Sequence, residues 1–168
     1  RSENFICGRQ SKIASANWHA TASYLGSVNK NNILIDMGST TTDLVVLSNG
    51  EIQNKGYTDQ ERMVESELVY TGMVRTPVMA VVNKVPIKGK WQGIAAEYFA
   101  SMADVYRIVG ELEEKYDLFQ AADGGKKDRD ASLHRLAHML GADYGQGISE
   151  KDLVNVAEYI ATAQMEQI

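Results

Sequence analysis

Cysteine, proline, basic residues and long apolar runs are all scarce in this 168-residue chain. A single thiol, Cys7, excludes an internal disulfide framework and is typical of a reducing compartment, so we predict a cytoplasmic protein. No apolar run approaches the roughly 20 residues that a membrane-spanning helix requires, which predicts no membrane partner. The formal net charge of −5 lacks the basic footprint of a nucleic-acid-binding protein, so nucleic acid is excluded as a partner.

What the chain does contain is typical of one globular domain. Its hydrophobic content of 44% and charged content of 23% are ordinary, and its length is close to that of one average domain. We therefore treat residues 1–168 as a single region. The chain opens on Arg1 rather than on methionine, which favours a fragment of a longer protein.

Hydrophobic spacing and capping signals predict a helix, a cluster of strands and then mostly helices. Thr76-Pro77 is ambiguous, because it fits either a helix start or the approach to a strand. Asp104 is expected at the solvated edge of a long helix. The predicted helices cover 11–25 with Ser11 as N-cap, 59–65, 95–115, 131–140 and a last one capped by Ser149, and the predicted strands cover 33–37, 43–48 and 51–55, with short extended pieces at 85–87 and 91–94.

The most informative segment is a turn between two β-branched-rich runs, with Asp36 and Asp43 at its ends. Gly38 allows the backbone to turn tightly. The two carboxylates can hold Mg²⁺ directly or through its waters. Phosphate oxygens can accept from the hydroxyl and N–H groups of Ser39, Thr40, Thr41 and Thr42. An ordinary hairpin is the alternative, because these residue types and the following Asn49-Gly50 are also common in turns.

A charged cluster follows the strands and contains Arg62 and Glu67. As a solvated helix face it would carry only weak ion pairs at helical spacing. As part of a site, Arg62 or Arg75 would neutralise phosphate and a carboxylate would act as base or metal ligand. The local pattern favours the solvated face.

Two further patterns suggest binding sites with less support. His134 and His138 have the i, i+4 spacing of a shared metal site, but no third ligand is recognisable, so packing against a neighbouring element is favoured. The turn at Asp123-Gly124-Gly125 is the only candidate for an adenine clamp.

The order of short motifs along the chain resembles one family. Asp36 to Asp43 has the form of the second phosphate motif of the actin and sugar-kinase superfamily. The whole series is similar to the hydantoinase A/oxoprolinase-related proteins of tetrahydromethanopterin-linked one-carbon transfer and methanofuran biosynthesis. It comprises Ala16-Asn17-Trp18, Asp36 to Asp43, Asp59 to Arg62, Glu67 to Gly72, Arg75 to Val78, Glu97 to Ala100, Ala103 to Tyr106, Ala122 to Gly124 and Arg135 to Ala137.

This resemblance implies an α/β fold, namely a ribonuclease-H-like lobe of the actin-like ATPase superfamily with a β-hairpin phosphate loop and additional helices. The region is incomplete relative to a two-lobed protein, since nothing matches the first phosphate motif. The sequence also departs from the family at Ser66, where glycine is usual.

The implied activity is that of a transferase in methanofuran-type cofactor biosynthesis. A furanylmethyl diphosphate would condense with a phenol such as a gamma-glutamyltyramine-like acceptor. Asp36 and Asp43 would hold Mg²⁺ as catalytic residues and Glu67 would take the phenol proton. Gly38 to Thr42, Arg62 and Arg75 would contact phosphate, and Asn17, Trp18 and Tyr70 would line the acceptor pocket.

Two alternatives stay open beside the transferase. One is an ATP-dependent hydantoinase or 5-oxoprolinase-like hydrolase or ATPase, with ATP as ligand. The other is a non-catalytic binding lobe. In the enzymatic cases the partner is a small phosphorylated molecule, and assembly as a homo-oligomer is left open.

Overall fold

The computed structural model describes residues 17–168, which form a mixed α/β structure with antiparallel sheets. Ser11 and Cys7 lie outside the described residues. The chain divides into two compact units, Arg1–Tyr70 and Thr71–Ile168, and each is described by itself. None of the helices between residues 17 and 168 is both long and apolar enough to cross a bilayer.

The first unit contains a four-stranded sheet centred on β2. Strand β1 (Asn32–Met37) pairs antiparallel with β2 (Thr42–Ser48) along one edge. Along the other edge, β3 (Glu51–Ile52) pairs with the end of β2 and β4 (Leu68–Val69) pairs with its start, both antiparallel. The predicted strands at 33–37 and 43–48 are confirmed.

The β2–β3 hairpin turns at Asn49 and Gly50, with φ of 54° and 84°. Two consecutive left-handed residues are what a two-residue hairpin requires, and Asn-Gly adopts them at low cost. The strand predicted over 51–55 is too long, because the Asn54 side chain replaces the backbone ladder. Its amide accepts from the Val46 N–H at 3.0 Å and donates to the Leu44 carbonyl at 2.7 Å.

Helix α1 (Asn17–Val28) covers one face of this sheet. Trp18 and Ala22 pack against Val45 and Leu47, which point inward at alternate positions of β2. The helix predicted over 11–25 ends too early, because α1 continues through Gly26 to Val28. Gly26 serves close packing, because a Cβ at this position would lie 2.5 Å from the Gly50 carbonyl oxygen.

Helix α2 (Asp59–Val64) confirms the helix predicted over 59–65 and begins at a capping box. The Thr58 hydroxyl accepts from the Glu61 N–H at 3.3 Å, and the Glu61 carboxylate accepts from the Thr58 N–H at 3.0 Å. These two bonds satisfy backbone donors that the first helical turn leaves open. After the helix, Ser66 adopts a left-handed φ of 57° that glycine would adopt with less strain.

The second unit consists mainly of helices. Pro77 occupies the N-cap of the short α3, which settles the ambiguity at Thr76-Pro77 in favour of a helix. The short extended pieces are confirmed as a hairpin of two strands. The elements are α3 (Val78–Val81), β5 (Lys84–Ile87), β6 (Lys90–Gly93), α4 (Met102–Val109), a 3-10 turn (Glu114–Tyr116), α5 (Arg129–Met139) and α6 (Glu150–Met165).

The long helix predicted over 95–115 is wrong, since α4 has only eight residues. Its apolar stripe is real, but local chemistry limits it at both ends. Ser101 and Asp104 form a capping box that starts the helix, and Gly110 ends it at a φ of 85°. The helices predicted at 131–140 and after Ser149 are confirmed with nearly the expected bounds.

Helix α4 lies at the centre of the second unit and is buried from Met102 to Ile108. It packs against both α5 and α6. A buried amide adds a polar link, because Gln164 of α6 accepts from the Tyr106 hydroxyl at 2.7 Å and donates to the Thr71 hydroxyl at 2.6 Å. These bonds tie the first residues of the unit to its last helix.

Candidate functional site

The turn predicted to bind phosphate is the loop of the β1–β2 hairpin. Asp36 and Asp43 are direct cross-strand partners, and Met37 pairs with Thr42 to close the loop. Within it, the Gly38 N–H donates to the Thr41 carbonyl at 2.8 Å. The sequence therefore brings both carboxylates to one face at the base of a four-residue loop.

The two carboxylates differ in their surroundings. Asp36 is exposed, and within the described part of the chain its side chain has no hydrogen bond or ion pair. Asp43 is held by Arg62, whose Nη1 lies 2.5 Å from its Oδ1. One carboxylate is thus open to a ligand, while the other is fixed in position.

Arg62 lies beneath the hairpin and is only 1% exposed. Its Nη2 donates to the Glu67 carbonyl at 3.0 Å, and its guanidinium lies 4.0 Å from the centre of the Trp18 ring. A buried cation needs such partners because desolvation is costly. The structure therefore gives Arg62 the role of positioning Asp43, and its contact with phosphate stays a prediction.

Glu67 fixes the loop that precedes α2. Its two carboxylate oxygens accept from the N–H groups of Lys55 at 2.7 Å and Gly56 at 3.0 Å. Gly56 itself cannot carry a side chain here, since a Cβ would lie 2.6 Å from the backbone nitrogen of Arg62. Glu67 thus organises the surroundings of Arg62, and its role as a base stays a prediction.

Three of the four predicted hydroxyl donors lie at the accessible part of the loop. Ser39 is exposed, Thr40 and Thr41 are half-buried, and Thr42 is fully buried at the start of β2. The Ser39 and Thr40 hydroxyl groups are hydrogen-bonded to each other at 3.5 Å. The loop can present hydroxyl groups beside Asp36.

The donor set fits Mg²⁺, which commonly binds proteins through one or two carboxylates and takes its other ligands from water and substrate phosphates. Asp36 is accessible, and the second oxygen of Asp43 is not used by Arg62. No group of three or more metal-ligating side chains occurs among residues 17–168. A metal at this hairpin would therefore depend on the phosphate ligand for the rest of its coordination.

The predicted acceptor residues lie in different surroundings, and their role in an acceptor pocket stays a prediction. Trp18 is 6% exposed and contributes to the core of the first unit. Tyr70 follows β4 and is 57% exposed. Asn17 is the first residue of α1, and its side chain lies outside what the structure describes.

Arg75, also predicted to contact phosphate, belongs to the second unit. Its guanidinium lies 4.9 Å from the centre of the Phe119 ring. His134 and His138 pack edge-on against Tyr144 and Phe99, with ring centres 5.1 and 6.2 Å apart. This confirms the packing interpretation for both histidines.

The second unit contains a buried ionic cluster that the sequence analysis missed. Asp104, expected at a solvated edge, is 1% exposed and accepts from Arg107 at 3.0 Å, Ser132 at 2.9 Å and Arg135 at 2.8 Å. Arg107 also pairs with buried Asp117. We call these residues, with Asp123, the Asp104 cluster. Opposite charges at core-facing positions of α4 and α5 were the available signal.

The turn at Asp123-Gly124-Gly125 is part of this cluster. Asp123 accepts from the Gly125 N–H at 2.8 Å and from Arg135 at 3.0 Å. Burial raises the pKa of Asp123, but these hydrogen bonds and the charge of Arg135 lower it overall. The turn is thus held by internal contacts, and its use as an adenine clamp stays a prediction.

A comparison with known protein families places this sequence in one of them, and this chain belongs to the hydantoinase/oxoprolinase family. The sequence profile of that family matches residues 4–168.

Two relatives carry the name (4-{4-[2-(gamma-L-glutamylamino)ethyl]phenoxymethyl}furan-2-yl)methanamine synthase. The protein of Methanocaldococcus jannaschii is 33% identical over 171 residues, which cover 98% of this chain and 51% of that protein. The protein of Methanococcus vannielii is 35% identical over 131 residues, which cover 78% of this chain and 58% of that protein. The chain thus spans little more than half the length of either relative.

Proposed function

We propose that this chain is the phosphate-binding part of a diphosphate-displacing transferase in methanofuran-type cofactor biosynthesis. The single observation that carries the proposal is the β1–β2 hairpin, where an exposed Asp36 stands opposite an Arg62-fixed Asp43 beside a hydroxyl-lined loop. The printed name of the two relatives, which describes a phenoxymethylfuran product, supports the choice of reaction.

The reaction forms one carbon–oxygen bond and breaks another. The phenol oxygen attacks the furanylmethyl carbon, the bond from that carbon to the diphosphate breaks, and the electron pair leaves with the diphosphate. The phenol proton passes to a base, for which Glu67 is the proposed acceptor. Phenol and diphosphate ester thus give an ether, diphosphate and one proton.

The chain's own residues would act on the leaving group. Ser39, Thr40 and Thr41 would donate to diphosphate oxygens and so stabilise the negative charge that grows as the bond breaks. Asp36 and Asp43 would hold Mg²⁺, which supplies electrostatic stabilisation of that charge. Arg62 would hold Asp43 in position through their ion pair, and direct contact of Arg62 with phosphate stays a prediction.

A turnover assay on the complete protein tests the proposal. A furanylmethyl diphosphate and a phenol acceptor with Mg²⁺ should give the ether and diphosphate in equal amounts without ATP. Asp36→Asn should lower kcat by about a hundredfold, in the range found when one stabilising group is removed. Release of ADP from ATP that requires the same residue would support the hydrolase instead, and unchanged turnover in the variant would contradict the site.

A further inference from the structure

The second unit contains a cleft that the proposed function does not use. It lies between the β5–β6 hairpin and the loop that joins α5 to α6, and its volume of about 790 Å³ is within the range of small-molecule sites. We call it the Lys90 cleft, and its lining residues include Ile87, Lys88, Lys90, Gln92, Gln146 and Ile148.

The charge around this cleft differs from that of the whole chain. The protein has 22 acidic and 17 basic residues, yet the 20 residues from 77 to 96 include three lysines and no acidic residue. Two of these lysines, Lys88 and Lys90, line the cleft, and no aspartate or glutamate among the described residues lines it. The wall therefore favours an anionic ligand over a cationic one.

Two side chains of the hairpin join it to the facing loop and to the end of α5. The Lys88 ammonium group donates to the Gly147 carbonyl at 2.7 Å and lies 3.6 Å from a carboxylate oxygen of Asp152. The Gln92 amide donates to the Leu140 carbonyl at 2.8 Å. These contacts fix the two walls of the cleft, and because Lys88 is already paired, it has little charge left for a ligand.

Lys90 is the cation that remains available. It is exposed, and its ammonium group has no hydrogen bond or ion pair within the described part of the chain. In the β5–β6 register it lies directly opposite Ile87, and Gln92 lies two positions along β6 on the same face of the hairpin. All three residues line the cleft, so the Lys90 side chain is on the face of the hairpin that borders it.

The opposite wall offers a hydrogen-bond donor, and the lining also has apolar surface. Gln146 is exposed, and its side-chain amide makes no hydrogen bond to any residue between 17 and 168. Ile87 is half-buried and Ile148 is buried, and both contribute apolar surface to the lining. An ammonium group and an amide N–H suit the oxygens of a carboxylate or phosphate, whereas the isoleucines suit the body of a ligand.

We propose that the Lys90 cleft binds a small molecule that carries a carboxylate or phosphate group on an apolar body. Lys90 pairs with the anion, the Gln146 amide donates to it, and the apolar body contacts Ile87 and Ile148. This inference rests on the second unit alone and not on the transferase proposal.

Calorimetric titration of the complete protein without Mg²⁺ tests the inference with four probes of similar shape. Benzoate and phenyl phosphate are anionic, benzyl alcohol is neutral and benzylamine is cationic. At least one anion should bind more tightly than both benzyl alcohol and benzylamine, and binding of only one anion would identify the anionic group and still support the cleft. No binding of either anion at millimolar probe, or equally tight binding of benzyl alcohol, would overturn the inference.

Matched variants locate that binding. Lys90→Gln should weaken the anion by about fivefold, the upper range for an exposed charge pair. Lys84→Gln makes the same change on the other face of the hairpin and Asp36→Asn alters the site of the proposed function, so both should leave the affinity unchanged. At about 0.15 M salt the Debye length is about 8 Å, so distant charges contribute little.

Two results of these variants would overturn the inference, whatever the turnover assay gives. Equal weakening by Lys84→Gln and Lys90→Gln would show only a general effect of charge on binding. Unchanged affinity in Lys90→Gln would show that the anion binds elsewhere.

Discussion

At the scale of single residues, the contact that most shapes the hairpin is the one between Arg62 and Asp43. The arginine is buried and bridges Asp43, Trp18 and the Glu67 carbonyl. The sequence analysis located Arg62 in the charged cluster after the strands, but it favoured a solvent-exposed helix face for that cluster. The burial of Arg62 could not be predicted from the local sequence pattern, because it depends on packing against Trp18 of α1.

Arg62→Met should destabilise the protein by about 3 kcal/mol, because Asp43 would lose its buried partner. A urea titration followed by circular dichroism measures the change. As a control, Lys55→Gln removes the ion pair with Glu65, whose two side chains are 77% (Lys55) and 39% (Glu65) exposed. Because this pair lies in solvent, its loss should change the free energy of unfolding by less than about 0.5 kcal/mol. Equal effects of the two variants would contradict the role given to Arg62.

Ser66 is a non-glycine residue with a left-handed backbone just after α2. Its φ of 57° is left-handed, which costs an ordinary residue about 1 kcal/mol or more. Ser66→Gly should therefore stabilise the protein by up to about 1 kcal/mol, since added flexibility of the unfolded chain offsets part of the gain. Thermal unfolding measures it, and a lower Tm in the variant would show that the serine side chain contributes more than the strain costs.

The capping box of α2 should give the stability a defined acid dependence. Hydrogen bonds from the N–H groups of Thr58 and Tyr57 lower the pKa of Glu61 below its ordinary 4.5. A carboxylate with a lowered pKa stabilises the fold fully above its ordinary value and loses that effect as the pH falls through the lowered one.

Thermal unfolding between pH 6 and pH 3 measures this dependence. The Tm of the unmodified protein should fall more steeply below pH 4.5 than that of Glu61→Gln, which has no charge to lose. Parallel curves for the two proteins would show that the capping carboxylate contributes nothing through its ionisation.

At the scale of elements, the sequence predicted those whose ends carry strong local signals. Asn49-Gly50, the Thr58 capping box and the Ser149 cap all define boundaries within a few residues, and the structure confirms them. The predicted boundaries are wrong where a side-chain hydrogen bond or a contact with a distant part of the backbone ends or starts the element. Asn54 ends the pairing of β3, and Ser101 starts α4 inside an otherwise continuous apolar pattern.

Helix α1 gives a direct test of such a long-range contact. Replacing glycine by alanine inside a helix ordinarily stabilises it by about 1 kcal/mol. Gly26→Ala should instead destabilise the protein by about 2 kcal/mol, because the new Cβ would overlap the Gly50 carbonyl and force a shift of packed backbone. Ser23→Ala on the exposed face of the same helix is the control, and a stabilising effect of Gly26→Ala would contradict the close approach.

At the scale of the whole molecule, the candidate site was predicted only in part. The hairpin and its two carboxylates followed from the spacing of Asp36 and Asp43, because antiparallel strands with a short loop make such residues cross-strand partners. The Asp104 cluster did not follow, since its charges come from α4, α5 and the loops between them. Charged residues on the core-facing sides of α4 and α5 were visible in the sequence, but the pattern did not predict which of them meet in the folded chain.

The family relation is shown, whereas binding of a phosphate-bearing ligand beside Asp36 stays a proposal. The prediction of a single actin-like region over residues 1–168 stays a prediction, as does the ribonuclease-H-like topology. The first unit provides an exposed carboxylate at Asp36, an ion-paired carboxylate at Asp43 and adjacent hydroxyl groups, all on one hairpin. A site built on paired strands holds its geometry better than one built on long loops.

Calorimetric titration of the complete protein with pyrophosphate in the presence and absence of Mg²⁺ tests the central claim most directly. We expect Mg²⁺-dependent binding that Asp36→Asn weakens by at least about tenfold, as loss of a charged ligand would. Glu51→Gln, an exposed acid on β3 of the same sheet, should bind like the unmodified protein. Pyrophosphate binding that is equally strong without Mg²⁺, or equally strong in Asp36→Asn, would contradict the account.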